Sequence, residues 1–319
     1  MTGFVRTVTG DIDPAELGRV DYHEHLFQVS PLLPGDDLDD EAASAGEAVQ
    51  LRASGFEAMV DATPLGLGRR PGAIARISQA TGLRVVMTTG VHRREHYATG
   101  HPLLEASAER LAAAFLRDLT EGAAEFGETD AANPAGSEAS VPPRAGVLKA
   151  GLGYWRIDAA AARTIEAIGA AHRETGAPVM VHLEHGTAAF EALEALAAAG
   201  VPAHRVALAH VDRNPDPGLH AELAAAGAFL GYDGAARAKD WPDSVLLGCL
   251  LATAQAGGAH RILLGGDVAR RTRYVAYGGM PGLRYLGERF VPRLVARAGA
   301  DLADAVLRRN PAEWLTWQV

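Results

Sequence analysis

The sequence predicts a (β/α)8 barrel. Eight short apolar, β-branched runs alternate with longer Ala-, Leu- and Glu-rich stretches of helical period. The alternation occupies about 250 of the 319 residues, the span of one such barrel. A doubly wound open sheet is the competing architecture, but no dinucleotide-type glycine signature follows the first run.

The eight strand candidates are VDYHEHLF (20–27), EAMVDAT (57–63), RVVMTTG (84–90), AGVLKAG (145–151), APVMVHLE (177–184), RVALAHV (205–211), GAFLGYD (227–233) and RILLGGDV (261–268). Between them, AAARTIEAIGAAHRETG and FEALEALAAAG show helical periodicity and end in glycine, a helix stop signal. GLGRRPG (66–72) and GLG (151–153) are glycine-rich but lack phosphate-loop spacing. The stretch 121–144, rich in Gly, Pro, Ser and acid, breaks the rhythm between strands three and four. It reads as a solvated insertion within a single domain, 1–319.

Composition narrows the function. Lys and Arg number 30 against 39 Asp and Glu, a net charge of −9, which disfavours nucleic acid and anionic membranes as partners. The single cysteine, Cys249, excludes an intrachain disulfide and a thiolate metal cage. The longest apolar run, 245–254, is too short to span a bilayer, and the first residues lack a secretory apolar stretch, so a cytoplasmic protein is expected.

The 12 histidines carry the chemistry. His23 and His25 stand two apart in the first strand, so both imidazoles face one way and Glu24 the other. Such a pair can grip a divalent ion or form a hydrogen-bonded core. Lys149 lies in an apolar strand, where a bare ammonium is costly to bury. His182, His210 and Asp267 also fall at the C-terminal ends of predicted strands, where barrel active sites are built. His92-Arg93-Arg94-Glu95-His96 matches the letters of a zinc-peptidase motif, but its position directly after a strand predicts a loop.

Together, YHEHL, GVLKAG, TGAPVMVH, ALAHVDRNPD, LLGGDVARR, YGGMPGL and RRNPAEWL resemble the phosphotriesterase family of the amidohydrolase superfamily across nearly the whole chain. The resemblance implies a metal-dependent hydrolase with two divalent ions, zinc foremost, with Mn, Co or Fe also compatible. It implies CO2 carried on Lys149 as a carbamate that bridges the ions. His23, His25 and Asp267 would hold the more buried ion, His182 and His210 the more exposed one. Lys149 and Asp267 are the catalytic candidates, with Asp267 relaying the nucleophile's proton to the leaving oxygen. Homodimers are common among members. Val268 stands where many relatives carry histidine.

Substrate selection is expected in the loops. Arg270, Arg271 and Arg273 follow Asp267 closely, and guanidinium geometry suits carboxylate or phosphate. Lys239, Trp241 and Asp233 can join the same pocket, and Tyr154 and Trp155 can line its wall. Family members with basic loops resemble hydrolases of anionic or phosphorylated sugar lactones. The leading expectation is therefore a lactonase acting on a small molecule. The alternatives are a phosphotriesterase or other esterase, and a barrel that binds without catalysis.

Overall fold

A computed structural model describes residues 3–124 and 142–317. Most of the expected insertion, 125–141, lies outside the described residues. An antiparallel hairpin comes first, β1 (Val5–Thr7) and β2 (Gly10–Ile12). Eight strands follow: β3 (Val20–Glu24), β4 (Ala58–Asp61), β5 (Arg84–Val91), β6 (Ala145–Gly151), β7 (Val179–His182), β8 (Val206–Ala209), β9 (Phe229–Tyr232) and β10 (Ile262–Leu264). Each pairs in parallel with the next in chain order, so the sheet is a (β/α)8 barrel and not a doubly wound one. Between β10 and β3 the ring closes through the segment after β10. There Asp267 N donates to His23 O at 2.8 Å and Gly266 N to Asp21 Oδ1 at 3.2 Å.

The helices begin where polar caps stand. The side chains of Asp40, Ser107, Asp158 and Asp216 accept a backbone N–H at the starts of the helices Glu41–Ala53, Ala108–Thr120, Ala159–Thr175 and Pro217–Ala225. Gly176, at φ +71°, ends the Ala159–Thr175 helix in the left-handed conformation that its sequence position predicts.

Two apolar layers fix the geometry. One lies between the strands and the surrounding helices. The other fills the barrel with Val20, Val60, Val147, Met180, Phe229 and Leu263, and is plugged by Leu17, Trp314 and Leu315. Trp314 Nε1 donates to Val179 O at the first residue of β7, which places the plug at the N-terminal ends of the strands. The opposite end is thereby left to polar side chains. Among the described residues, no helix is long and apolar enough to cross a membrane.

Candidate metal centre

Six buried side chains converge at that end: His23 and Lys149 within β3 and β6, His25 just after β3, His182 closing β7, His210 directly after β8, and Asp267 past β10. β8 and β10 are shorter than the apolar runs that predict them, so His210 and Asp267 sit on the turns that leave the barrel. Both adopt left-handed backbone, at φ +66° and +41°, which costs a non-glycine residue on the order of 1 kcal/mol or more.

Simple alternation does not describe β3. Its register against β4 shifts between Asp21 and Glu24, so the consecutive residues Tyr22 and His23 both reach Asp233. Glu24 turns to the segment after β10, where its Oε2 accepts from Val268 N at 3.1 Å.

Hydrogen bonds on the outer side of each imidazole fix its tautomer. His210 Nδ1 donates to Asp233 Oδ1 at 2.6 Å, and His23 Nδ1 to Asp233 Oδ2 at 3.2 Å. His182 Nε2 donates to Glu184 Oε1 at 2.8 Å. Thr63 Oγ1 gives its proton to Phe27 O and therefore accepts from His25 Nδ1, at 2.7 Å. Each ring thus spends its N–H outward and turns a lone pair inward. The inward nitrogens of His182 and His210 lie 2.8 Å apart. Those of His25 and His23 face Asp267 Oδ1 at 3.5 and 3.7 Å.

The imidazoles are neutral. Burial pushes His23 down to about 4, and burial with the nearby Arg213 does the same for His210. Asp267 is held well below the usual carboxylate range because Arg237 and the histidines outweigh its burial. Neutral lone pairs converging on a carboxylate are a cation site, and the oxygen partner behind each ring is the arrangement of metal-ligating histidine. His23, His25 and Asp267 have metal-site spacing. So do His23, His210 and Asp233, but Asp233 meets the N–H side of both rings and acts as their orienting carboxylate. An all-nitrogen-and-oxygen donor set fits zinc and its first-row neighbours. Lys149 Nζ donates to Ala62 O at 2.6 Å, and burial pushes the amine down to about 8 despite Asp267, Asp61 and Asp233.

The centre forms the floor of a cavity of about 130 Å³ whose wall carries Arg93, Arg213, Arg237 and Arg270. Arg213 Nη2 donates to Asp267 Oδ2 at 3.0 Å, and Arg237 binds the same carboxylate. Of the substrate candidates, only Arg270 lines this cavity. Arg271 lies over Tyr277 and towards Asp39. Arg273 is half-buried near Arg237 and Arg270 without reaching the lining. Lys239 is exposed and lines no part of it. Trp241 braces the Arg213 backbone through Nε1 at 3.1 Å. Tyr154 and Trp155 are 64% and 63% exposed, outside the cavity. Arg213 is the one basic residue of its loop, and Arg237 stands two residues before Lys239, where sequence does not tell which side chain turns to the cavity. The His92–His96 segment is a loop with a single 3-10 turn, and both histidines enter the cavity lining.

A (β/α)8 barrel with this cluster at the C-terminal ends of its strands defines a metal-dependent hydrolase. The chain belongs to the phosphotriesterase family, whose model it matches over residues 3–315. It is 28% identical over 329 residues to a phospho-furanose lactonase of Mycoplasmopsis agalactiae, covering 98% of this chain and 92% of that protein. The crystal structure of the lactonase Lmo2620 from Listeria monocytogenes matches with a TM-score of 0.88 at 31% identity, over 99% of this chain and all of that one. An organophosphorus hydrolase from Deinococcus radiodurans matches at 0.81 and 27%, covering 98% and 96%. The chain is a lactonase-like hydrolase acting on ester bonds.

Proposed function

We propose that the protein opens the ring of a small lactone carrying an anionic group, a phosphorylated sugar lactone foremost. The observation that carries this reading is the cavity wall, where four arginines face two carboxylates, Glu184 and Asp267. Local charge there opposes the net −9 of the whole chain, and the excess guanidinium suits phosphate or carboxylate.

His23, His25 and Asp267 would hold one divalent ion and His182 and His210 a second, with Lys149 between them as a carbamate. Lys149, once its ammonium has given up a proton, would carry CO2 as a carbamate with loss of a second, so that an anion would stand where a buried cation is costly. When bound, the ions supply Lewis acidity that activates water and polarises the ester carbonyl. Asp267 Oδ1 faces the inward nitrogens and takes the proton of the attacking water. As the ring C–O bond breaks, that proton passes to the leaving oxygen. Arg213 and Arg237 hold the other oxygen of Asp267, fixing the carboxylate in place. The substrate's anionic group would lie against Arg270 and Arg93.

The deciding experiment compares metal-loaded protein on a pentonolactone 5-phosphate, an unphosphorylated lactone and a neutral phosphotriester. The phosphorylated lactone is expected to give the highest kcat/KM. A phosphotriester turned over faster than either lactone would replace this reading with the organophosphate one.

A further inference from the structure

Among the described residues, His92 and His96 belong to neither group with metal-site spacing, yet they form a pair at the cavity wall. Their ring centroids lie 3.9 Å apart at 32°, and both residues are 7% exposed. Their outer contacts are opposite in sense. His92 Nδ1 accepts the backbone N–H of Arg93 at 2.8 Å, so this ring carries its proton on Nε2. Ser30 Oγ donates to His96 O at 3.2 Å and accepts from Leu32 N at 3.3 Å. Toward His96 Nδ1, 3.1 Å away, it is therefore the acceptor, and His96 carries its proton on Nδ1. Burial and the Arg93 guanidinium push His96 down to about 3, so its Nε2 stays bare.

Among the described residues, neither Nε2 has a protein hydrogen-bond partner, and neither is among the sealed, unpartnered polar atoms. Both residues line the main cavity; His92 also borders a smaller one beside Gly151, and its Nδ1 takes that side, which leaves Nε2 to the main cavity. One offers an N–H, the other a lone pair, within the width of a stacked pair.

We propose that His92 and His96 form a hydroxyl-reading subsite, in which His96 Nε2 accepts from and His92 Nε2 donates to hydroxyl groups of the bound lactone. A hydroxyl is both donor and acceptor, so adjacent hydroxyls on a furanose-type ring satisfy the two nitrogens at once. Arginine reads the anion and the imidazole pair reads the ring. This rests on the lactonase reading above, and the measurements separate the two.

The test uses metal-loaded protein with ribono-1,4-lactone 5-phosphate and its 2,3-dideoxy counterpart, which shares the phosphate and lacks both ring hydroxyls that the pair would read. Wild type is expected to favour the hydroxylated lactone by about tenfold in kcat/KM, the scale of a site whose polar groups are left unpaired by the analogue. His96→Phe and His92→Phe should erase most of that preference, chiefly through KM, while keeping metal content and the rate on the dideoxy lactone. Ser30→Ala, which leaves the ring in place but frees its tautomer, should lower the preference by a smaller factor. Equal losses on both lactones, a preference that survives His96→Phe, or loss of bound metal would overturn the proposal. If wild type hydrolyses neither lactone, the lactonase reading fails. Calorimetric titration with 5-phosphoribonate and its 2,3-dideoxy form then decides the subsite alone. Tighter binding of the hydroxylated acid, lost in His96→Phe, supports it, and equal binding refutes it.

Discussion

His182 Nδ1 and His210 Nε2 stand 2.8 Å apart, each with its own N–H committed to a carboxylate on the far side of the ring. Two lone pairs at that distance repel unless a cation sits between them. The barrel brings them together because Gly151 pairs with His182 and His182 with Ala209, which aligns the ends of β6, β7 and β8. Divalent metal is therefore expected to raise the unfolding free energy of stripped protein, by about 2.7 kcal/mol at free metal a hundred times Kd. His182→Ala or His210→Ala should bind one ion fewer per chain. Asp233→Ala, which frees the tautomers of His23 and His210 together, should weaken metal affinity about 10–100-fold. Metal analysis after gel filtration checks all three, and full metal content in His210→Ala would defeat this reading of the site.

Lys149→Met keeps much of the buried volume and removes the amine. The variant is expected to fold, to lose bound metal and to lose at least about a hundredfold in kcat. Reconstitution of stripped wild type should quicken with added bicarbonate, and that of the variant should not. A Lys149→Met protein with full metal and activity would rule the carbamate out.

Arg270 reaches the cavity while its Nη1 also contacts Asp36 at 3.1 Å, so it can exchange one anion for another without moving far. Arg270→Ala should raise KM for a phosphorylated lactone about tenfold or more and leave an unphosphorylated one within about twofold. Arg271→Ala, whose guanidinium lies over Tyr277, should change neither. Steady-state kinetics on the two lactones distinguish these outcomes, and equal effects on both would sink the anion site.

Acid should destabilise the metal-free protein well above the carboxylate range. His23 and His210, at about 4 in the fold, stay neutral there but take up protons on unfolding below about 6.5. The unfolded chain then binds more protons, so stability rises with pH through this window and is lost as pH falls towards 4. His25, His92, His96 and His182 act in the same direction because burial lowers each. Asp212, raised to about 7 by burial, opposes them, as do Asp21, Glu24 and Asp61, but the imidazoles are more numerous. The denaturant midpoint of stripped protein is expected to fall between pH 6.5 and 4. A flat or opposite trend would contradict the neutral histidines.

The barrel was legible because its signal is local: apolar runs mark the eight barrel strands, and helical periods with glycine stops separate them, while the short β1–β2 hairpin carries no such run. His182 was legible for the same reason, since it closes β7 and is placed by the strand itself, whereas His210 ends its apolar run on the turn just after β8. The cavity wall was not. Arg237 meets Asp267 across 30 positions and Arg213 across 54, distances that loop conformation decides and composition does not. Proximity in sequence pointed to Arg271 and Arg273, whereas the 3-10 turn at Arg271–Arg273 carries both away from the lining. The β3 register shift was equally hidden, since strict alternation would send Tyr22 and His23 to opposite faces.

Gly231 tests how far the centre depends on that packing. A Cβ placed there would stand well inside contact distance of the Tyr22 hydroxyl, which donates to Asp233 Oδ2. Gly231→Ala must therefore push Tyr22 aside, and the displaced hydroxyl leaves Asp233 with fewer donors. The overpacking should cost about 1–3 kcal/mol in a chemical denaturation curve. Because Asp233 also orients His23 and His210, the same variant should bind metal more weakly. Tyr22→Leu in the Gly231→Ala background removes both the hydroxyl and the ring carbon Cζ that the new Cβ would meet, so it should recover part of the stability without restoring the metal affinity. Recovery of both together would show that Tyr22 fills space in the barrel and plays no part in holding Asp233.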